Sequence, residues 1–227
     1  MSASAAGVAE EHALVLHTYW RSSAAYRVRI GLNLKGLPWH ARAVHLVRDG
    51  GEQHAAAYQA LNPQQLVPTL LHGGQTLVQS MAILEYLDEA FPGNPLLPPD
   101  APGRARVRGL AQLVACDVHP LNNLRVMQYL EHALDVPGDA RTAWTLHWMG
   151  EGLRALESMV GASPATGTFC HGEQPGLADA CLIPQLYNAR RFGLDLAPYP
   201  HLQRIEAACL ALPTFEAARP ERQADAA

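Results

Sequence analysis

A proline-rich segment divides this chain of 227 residues and limits what it can fold into. Residues 92–103 read Pro-Gly-Asn-Pro-Leu-Leu-Pro-Pro-Asp-Ala-Pro-Gly, with five prolines in twelve positions. Proline lacks a backbone N–H and fixes φ, so this segment can neither continue a helix nor join the middle of a sheet. We therefore expect a linker or wrapped connection between two domains, residues 13–92 and residues 104–220.

Strand and helix signals alternate before the linker. Residues 14–19 and 39–46 read as strands, and residues 69–79 predict a β-hairpin that turns at Gly73-Gly74. With helices after the first strand and after the hairpin, this order is typical of a small α/β layer domain.

The first of these helices, residues 24–35, carries conflicting signals. Its apolar residues alternate at period two, which favours a strand: Val28, Ile30, Leu32 and Leu34. Gly36 followed by Pro38 is typical of a helix stop, and on that signal we predict a helix.

The second helix, residues 80–91, has a clear amphipathic pattern. Ser80 is a candidate N-cap. The apolar face carries Ile83, Leu84, Leu87 and Phe91, and the polar face carries Glu85, Asp88 and Glu89.

The signals after the linker are helical. A long helix is predicted over residues 104–132, with a kink at Pro120 because proline removes a backbone donor. Asp139 is a candidate N-cap for a helix that reaches about Val160. Two more helices are predicted, residues 177–192 and 201–212. The sequence thus predicts an α/β N-terminal domain joined to an all-α C-terminal domain.

Charge and hydropathy exclude several classes of function. The formal net charge is −4 and no Lys/Arg-rich block occurs, so we expect neither a nucleic-acid partner nor an anionic membrane surface. No apolar stretch reaches the roughly 18 residues of a membrane span. Residues 1–12 lack the pattern of a secretory signal and read as a loose tail, which indicates a cytoplasmic protein.

The four cysteines indicate neither disulfides nor a metal site. They lie at positions 116, 170, 181 and 209, with no CxxC pair and no Cys/His cluster at metal-ligand spacing. We expect buried free thiols in a reducing compartment, and no bound metal.

Three short motifs of the first half are candidates for one binding site. Arg21-Ser22-Ser23 lies between the first strand and the first helix, where hydroxyls and unsatisfied backbone N–H groups favour an anion. Gln79-Ser80 begins the later helix, where the same groups bind a carboxylate. Each serine alone is equally typical of an ordinary helix cap.

The third motif is Val67-Pro68 at the start of a predicted strand. A cis proline here leaves the Val67 backbone able to pair with an extended peptide ligand. An edge-strand proline without any ligand produces the same pattern.

The order and spacing of these motifs resemble the zeta-class glutathione transferases, over about residues 14–215. The matching stretches of the first half are Arg21-Ser22-Ser23-x-x-Tyr26-Arg27-Val28-Arg29-Ile30, Ala60-Leu61-Asn62-Pro63-x-x-x-Val67-Pro68-Thr69-Leu70 and Gln79-Ser80-x-Ala82-Ile83-x-Glu85-Tyr86-Leu87. Those of the second half are Asp117-Val118-His119-Pro120-Leu121-Asn122-Asn123-Leu124-Arg125, Leu177-Ala178-Asp179-x-Cys181-Leu182 and Asn188-Ala189-x-Arg191-Phe192.

The resemblance implies a thioredoxin-like N-terminal domain, an all-α C-terminal domain, a homodimer and glutathione as cofactor. It places Ser22 and Ser23 beside the glutathione sulfur as catalytic residues. The residues that it implies for holding the tripeptide are Gln53, Val67, Pro68, Gln79 and Ser80. His119 and Asn123 are weaker candidates for the same cofactor: they lie four apart on the predicted helix and either face the cleft or satisfy carbonyls freed by Pro120.

The resemblance also implies glutathione-dependent cis–trans isomerisation of a maleyl keto acid. A free thiol has a pKa near 8.5, and a hydroxyl donor at a helix N-terminus favours the thiolate that adds to the cis double bond. Arg21 and Arg191 are the candidates for binding the substrate carboxylates, although each is also typical of a surface cation with a buried stem. Asp179 is expected to support a helix N-terminus.

Alternatives remain at this point. Ala24 stands where many members of the family have cysteine, which puts the rate and selectivity in question. Asn62-Pro63-Gln64-Gln65 looks like the maleylpyruvate branch, whereas Ser22-Ser23 and Leu124-Arg125 look more like the maleylacetoacetate branch, which we favour. Haloacid conjugation or dehalogenation is a second enzymatic alternative, and an interaction module with a blocked glutathione site is a third.

Overall fold

A four-stranded mixed sheet organises the first part of the computed structural model, which describes residues 13–226. The strands are β1 (Leu14–Thr18), β2 (Trp39–Ala43), β3 (Thr69–His72) and β4 (Gln75–Val78), in the order β2-β1-β3-β4. β2 runs parallel to β1, whereas β3 is antiparallel to both β1 and β4. Both predicted strands and the hairpin at Gly73-Gly74 are confirmed, although β2 ends three residues before the predicted Leu46. The tail expected over residues 1–12 lies outside the described residues.

Three helices accompany the sheet. They are α1 (Ser23–Leu34), α2 (Ala56–Leu61) and α3 (Ser80–Ala90), with 3-10 turns at Arg48–Gly50 and Glu52–His54 before α2. The helical interpretation of residues 24–35 is confirmed. The period-two pattern misleads here because Arg27 and Arg29, its apparent polar positions, are both buried.

One apolar cluster joins α1 and α3 to the sheet. It consists of Leu14, Leu16, Val28, Leu32, Leu70, Ile83 and Leu87. Gly31 permits the approach of the two helices, since a Cβ there would lie 2.1 Å from Cδ2 of Leu84. Asp88 belongs to the predicted polar face of α3, but its side chain is largely buried. It pairs with Lys35 and accepts the N–H of Leu96.

The chain divides into two compact units. The first contains the described residues up to Leu96 together with those from Pro213 onward, and the second spans Leu97–Leu212. The return of the C-terminal segment to the first unit was not predicted. It contains a short helix, α9 (Pro213–Ala218), which packs on α1, and a 3-10 turn at Pro220–Arg222.

The second unit consists of helices joined by turns and irregular segments. Its α-helices are α4 (Ala101–Gln112), α5 (Leu124–His132), α6 (Gly138–Gly161), α7 (Leu177–Arg191) and α8 (Pro200–Leu210). Its buried apolar residues include Leu110, Val114, Leu153 and Leu186. None of the helices within residues 13–226 is long and apolar enough to span a membrane.

The single long helix predicted over residues 104–132 is wrong. α4 begins earlier, inside the proline-rich segment, because Asp100 caps it by accepting the N–H of Gly103 and Pro102 is tolerated in a first turn. After α4 the chain continues as a π-helical stretch, Leu113–Val118, and a 3-10 turn, His119–Asn122. Pro120 therefore lies in the first turn of a 3-10 segment rather than at a kink within one long helix.

Two predicted caps are also wrong. α6 begins at Gly138, so Asp139 lies inside its first turn, where it accepts the N–H of Ala140. Gln79, not Ser80, is the N-cap residue of α3. Among the cysteines, Cys116 is exposed rather than buried.

Candidate functional site

Strand register brings the three sequence motifs to one end of the sheet. His17 pairs with Thr69, and Thr69 pairs with Val78. The turn after β1, the entry to β3 and the exit from β4 therefore lie side by side. Arg21-Ser22-Ser23, Val67-Pro68 and Gln79-Ser80 occupy these three connections, so the sheet gathers them at a common edge.

Ser22 is the N-cap of α1. Its backbone is extended, its N–H donates to the Tyr19 carbonyl at 3.0 Å, and its Oγ accepts the N–H of Ala25 at 3.2 Å. A hydroxyl that accepts a cap bond still has its own proton to donate to a ligand. Ser23 follows as the first helical residue and is buried. The turn thus presents two hydroxyls at the positive end of a helix dipole.

Arg21 stands exposed beside these serines. Its guanidinium lies 4.6 Å from the centroid of the Trp20 ring, and its Nη2 donates to the Tyr19 hydroxyl at 3.2 Å. Within residues 13–226 it has no carboxylate partner. Arg21 is therefore a cation held in place by neutral groups, with its charge available to an anion.

The Val67-Pro68 peptide bond is cis. Neither backbone polar group of Val67 has a hydrogen-bond partner within the described part of the chain. Two hydrogen bonds fix the residue before Val67: the Tyr58 hydroxyl and the Asn62 amide both donate to the Leu66 carbonyl, at 2.7 and 2.8 Å. Burial raises the pKa of the Tyr58 hydroxyl, and hydrogen bonds with Thr69 and Asn62 oppose this rise only in part. The hydroxyl therefore stays protonated.

Gln79 and Ser80 form the start of α3. Gln79 has a positive φ of 70°, which is unfavourable for a residue with a side chain, and its amide donates to Oε1 of Gln64. Ser80 is buried, and its Oγ accepts a 3.2 Å hydrogen bond from Nη1 of Arg27. A helix N-terminus, a hydroxyl and a buried cation together make a strong carboxylate site.

Gln53 is buried in the second 3-10 turn. Its amide nitrogen donates to the Leu46 carbonyl at 3.3 Å and lies 3.0 Å from Nε2 of His54. Its Oε1 has no partner among the described residues. A buried carbonyl without a donor is costly, and a ligand N–H would satisfy it.

The remaining candidates lie in the second unit. His119 begins the 3-10 turn, whereas Asn123 has an extended backbone and caps α5 by accepting the N–H of Arg125 at 3.1 Å. The prediction that both lie on one helix face is therefore wrong, because the helix ends between them. Arg191 is exposed at the end of α7, donates to Oδ1 of Asn188 and lies 4.6 Å from the Phe192 centroid.

Arg27 is a further candidate site residue, which the sequence alone did not single out. A charged residue in a helix is usually exposed, so the motif alone did not indicate a buried cation. The local signal that existed was the Arg-x-Arg pair interrupting the apolar residues of α1.

The first unit fits the tripeptide glutathione. It offers a candidate carboxylate site at Ser80 and Arg27 and the hydroxyls of Ser22 and Ser23. The Val67 backbone and the buried Gln53 carbonyl have no partner among the described residues and are open to a ligand. No group of three or more His, Cys, Asp or Glu residues with metal-binding geometry occurs within residues 13–226.

Fold and site together define a glutathione transferase. Residues 16–95 match the family described as "Glutathione S-transferase, N-terminal domain", whose fold is thioredoxin-like. The probable maleylacetoacetate isomerase of Vibrio cholerae serotype O1 is 49% identical over 213 residues, 94% of this chain and 98% of that protein.

Two solved structures are similar over nearly their whole length. The holo structure of a maleyl pyruvate isomerase, described as a bacterial zeta-class enzyme, has a TM-score of 0.91 at 46% identity and covers 94% of this chain and 100% of that one. The maleylacetoacetate isomerase of Anaeromyxobacter dehalogenans, with glutathione bound, has a TM-score of 0.84 at 52% identity and covers 95% and 98%. The chain belongs to the zeta-class glutathione transferase family, the maleylacetoacetate isomerases and their relatives.

Proposed function

We propose that this protein is a glutathione-dependent isomerase that converts maleylacetoacetate to fumarylacetoacetate. The observation that carries the proposal is the gathering of Ser22, Val67 and Ser80 at one end of the sheet, each with groups that a glutathione molecule satisfies. Relatives named as maleylacetoacetate isomerases match over almost the whole chain, which supports the same activity here.

The first unit holds glutathione at several points. Ser80, with Arg27 behind it and the N-terminus of α3, binds the γ-glutamyl carboxylate, and Gln79 flanks it. Val67, ahead of Pro68, pairs with the peptide backbone, and Gln53 accepts an N–H of the ligand. From the second unit, His119 and Asn123 remain proposed contacts to the same cofactor.

Ser22 and Ser23 control the protonation of the bound thiol. Glutathione, when bound, supplies a sulfur nucleophile whose reversible addition to the cis double bond permits rotation about that bond. A hydroxyl proton donated by Ser22 and the N-terminus of α1 both favour the charged sulfur. The isomerisation takes up and releases no proton overall. Ser22 and Ser23 therefore stabilise the thiolate by hydrogen bonding and transfer no proton to the product.

Arg21 and Arg191 bind the substrate in this proposal. Negative charge moves toward the keto oxygen as the double bond is attacked, and fixed cations stabilise that charge without reorganisation. Both guanidinium groups lie over a neighbouring aromatic ring and are thereby restricted in position. Their carboxylate partners are the two ends of the substrate.

Maleylpyruvate is the second candidate substrate. Asn62-Pro63-Gln64-Gln65 looks like that branch, and a maleylpyruvate isomerase of Ralstonia is a relative of comparable identity. The two substrates share the maleyl group and differ in the length of the keto-acid end.

The proposal extends to organisation and location. We propose a homodimer in the cytoplasm, with a glutathione-binding domain over residues 13–92. The substrate domain, predicted over residues 104–220, then ends at Leu212, because residues from Pro213 onward belong to the first compact unit. Sedimentation equilibrium tests the oligomeric state independently of activity.

The decisive experiment measures isomerisation of maleylacetoacetate and of maleylpyruvate, each with and without glutathione. We expect turnover that requires glutathione and a higher kcat/KM for maleylacetoacetate. Preference for maleylpyruvate would assign the second substrate. Turnover of neither, or turnover independent of glutathione, would refute the proposed function.

A further inference from the structure

Arg29 is fully buried and is surrounded by oxygen acceptors. Its Nη1 donates to Oγ1 of Thr18 at 3.0 Å and to the Tyr19 carbonyl at 3.3 Å, and its Nη2 donates to the Trp20 carbonyl at 3.0 Å. One guanidinium thus holds three consecutive residues of the turn that leads into Ser22. Only arginine offers a rigid, planar set of five donors, so lysine cannot reproduce this pattern.

The same guanidinium reaches the C-terminal segment. Its Nε donates to the Ala218 carbonyl at 3.0 Å, at the end of α9. α9 is further tied to α1 through Asn33, whose amide donates to the Thr214 carbonyl. Arg29 is therefore the common point between the end of the chain and the turn after β1.

The last residues of the chain return to that turn directly. Oδ2 of Asp225 accepts the backbone N–H of Trp20 at 3.0 Å, across 205 positions of sequence. Gln223 keeps the segment folded by donating to the carbonyls of Ala217 and Arg219. Both backbone polar groups of Trp20 are thus bound, the N–H by Asp225 and the C=O by Arg29.

We propose that Arg29 and residues 213–225 form a C-terminal clasp whose function is to position Ser22 and Arg21. The Tyr19 carbonyl links the clasp to the site, since it accepts from Arg29 and also from the Ser22 N–H. Trp20, held at both polar groups, supplies the ring over which the Arg21 guanidinium lies. In this proposal Arg29 and Asp225 act on the site only through the backbone of Tyr19 and Trp20, so both are positioning residues.

This inference rests on the proposed function for its effect on activity, whereas its structural part is tested without any ligand. Two variants remove the Asp225 contact: Asp225→Ala, which deletes the accepting carboxylate, and a chain ending at Gln223. Asp139→Ala is the matched control, because Asp139 also accepts one backbone N–H, on α6. Arg29→Lys is a third variant, useful only where it folds.

Amide hydrogen exchange of the free protein is the first readout. We expect the N–H groups of Trp20 and Ser22 to exchange about tenfold faster or more in both Asp225 variants, because the turn opens locally. The Asp139→Ala control leaves these amides unchanged. Unchanged exchange at Trp20 and Ser22 in the Asp225 variants would overturn the clasp, whatever their global stability.

The pKa of the bound glutathione thiol, followed by thiolate ultraviolet absorbance, is the second readout. We expect it to rise in the Asp225 variants and kcat/KM to fall about fivefold to tenfold, because small displacements of catalytic groups are costly. A variant less stable but with a wild-type thiol pKa and kcat/KM would make the contact merely structural and refute the positioning role. If the wild-type protein shows no glutathione-dependent turnover, the proposed function fails while the exchange rates still decide on the clasp.

Discussion

Nη1 of Arg27 donates a 3.2 Å hydrogen bond to Oγ of Ser80, so a buried cation in α1 contacts the first residue of α3. The pair joins two elements separated by 53 positions and places positive charge behind the helix N-terminus. Both side chains are almost completely buried. We interpret the pair as the core of the carboxylate site.

Arg27→Lys is expected to weaken glutathione binding. Loss of a hydrogen bond to a charged group is worth about 1.5–3 kcal/mol, so Kd should rise roughly tenfold to a hundredfold. Ser80→Ala should behave similarly, and the double variant should lose less than the sum because the two residues act together. Isothermal titration calorimetry with glutathione measures all four Kd values. Arg42→Lys, on the exposed strand β2, is the control, and additive losses in the cycle would contradict the pairing.

Ser22→Ala is expected to remove most of the activity. The bound thiol loses its hydroxyl donor, so its pKa should rise and kcat/KM should fall about a hundredfold. Loss of the cap bond to Ala25 should lower the free energy of unfolding by only about 1 kcal/mol. Steady-state kinetics and urea unfolding separate the two effects. Ser163→Ala removes a comparable local hydroxyl acceptor in the second unit, and full activity in Ser22→Ala would rule out the thiolate assignment.

Arg21→Ala and Arg191→Ala are expected to act on substrate rather than on glutathione. Each removes a charge-assisted contact to a carboxylate, so KM for the keto acid should rise about tenfold or more. The Kd for glutathione should stay close to that of the wild-type protein. Arg48→Ala, an exposed residue near Glu52, controls for net charge. Unchanged kinetics in either variant would remove that arginine from the substrate site.

The predictable parts of this fold are those encoded locally. Gly73-Gly74 defines its hairpin without reference to the rest of the chain, and Ser22 caps the helix that follows it. The proline-rich segment separates the α/β part from the helical part. These signals depend on a few neighbouring residues, so one sequence was enough to find them.

The parts that were missed depend on contacts distant in sequence. Arg27 and Arg29 look like a polar helix face, and only the packing of α3 and α9 makes them buried. The π-helical stretch before His119 and the cap at Asn123 replace a helix that local propensity favours. The return of residues 213–225 to the first unit has no local signal at all.

Asp179 gives the clearest pH-dependent test, because it lies in the core of the second unit. Its carboxylate accepts the N–H groups of Cys170 and Gly176, both at 2.9 Å, and it supports the start of α7, as expected from the sequence. Burial nevertheless raises the pKa of Asp179 above its ordinary value of 3.8, against these two hydrogen bonds.

The sign of the effect follows from linkage. A carboxyl whose pKa is raised by folding binds a proton more readily in the folded state, so its stabilising contribution is largest at low pH. That contribution declines as pH rises from 3.8 through the folded pKa.

Asp179→Asn is expected to destabilise the protein by about 2–3 kcal/mol, because one amide group cannot accept both N–H bonds. The difference in free energy of unfolding between wild type and variant should be largest near pH 4 and should shrink as pH rises through the folded pKa of Asp179. Urea unfolding across this range measures the difference, and other carboxylates cancel between the two proteins. Asp139→Asn, at an exposed position, is the control and should give only a small difference. A gap for Asp179→Asn that instead widens as pH rises would mean that the hydrogen bonds outweigh burial and lower the pKa.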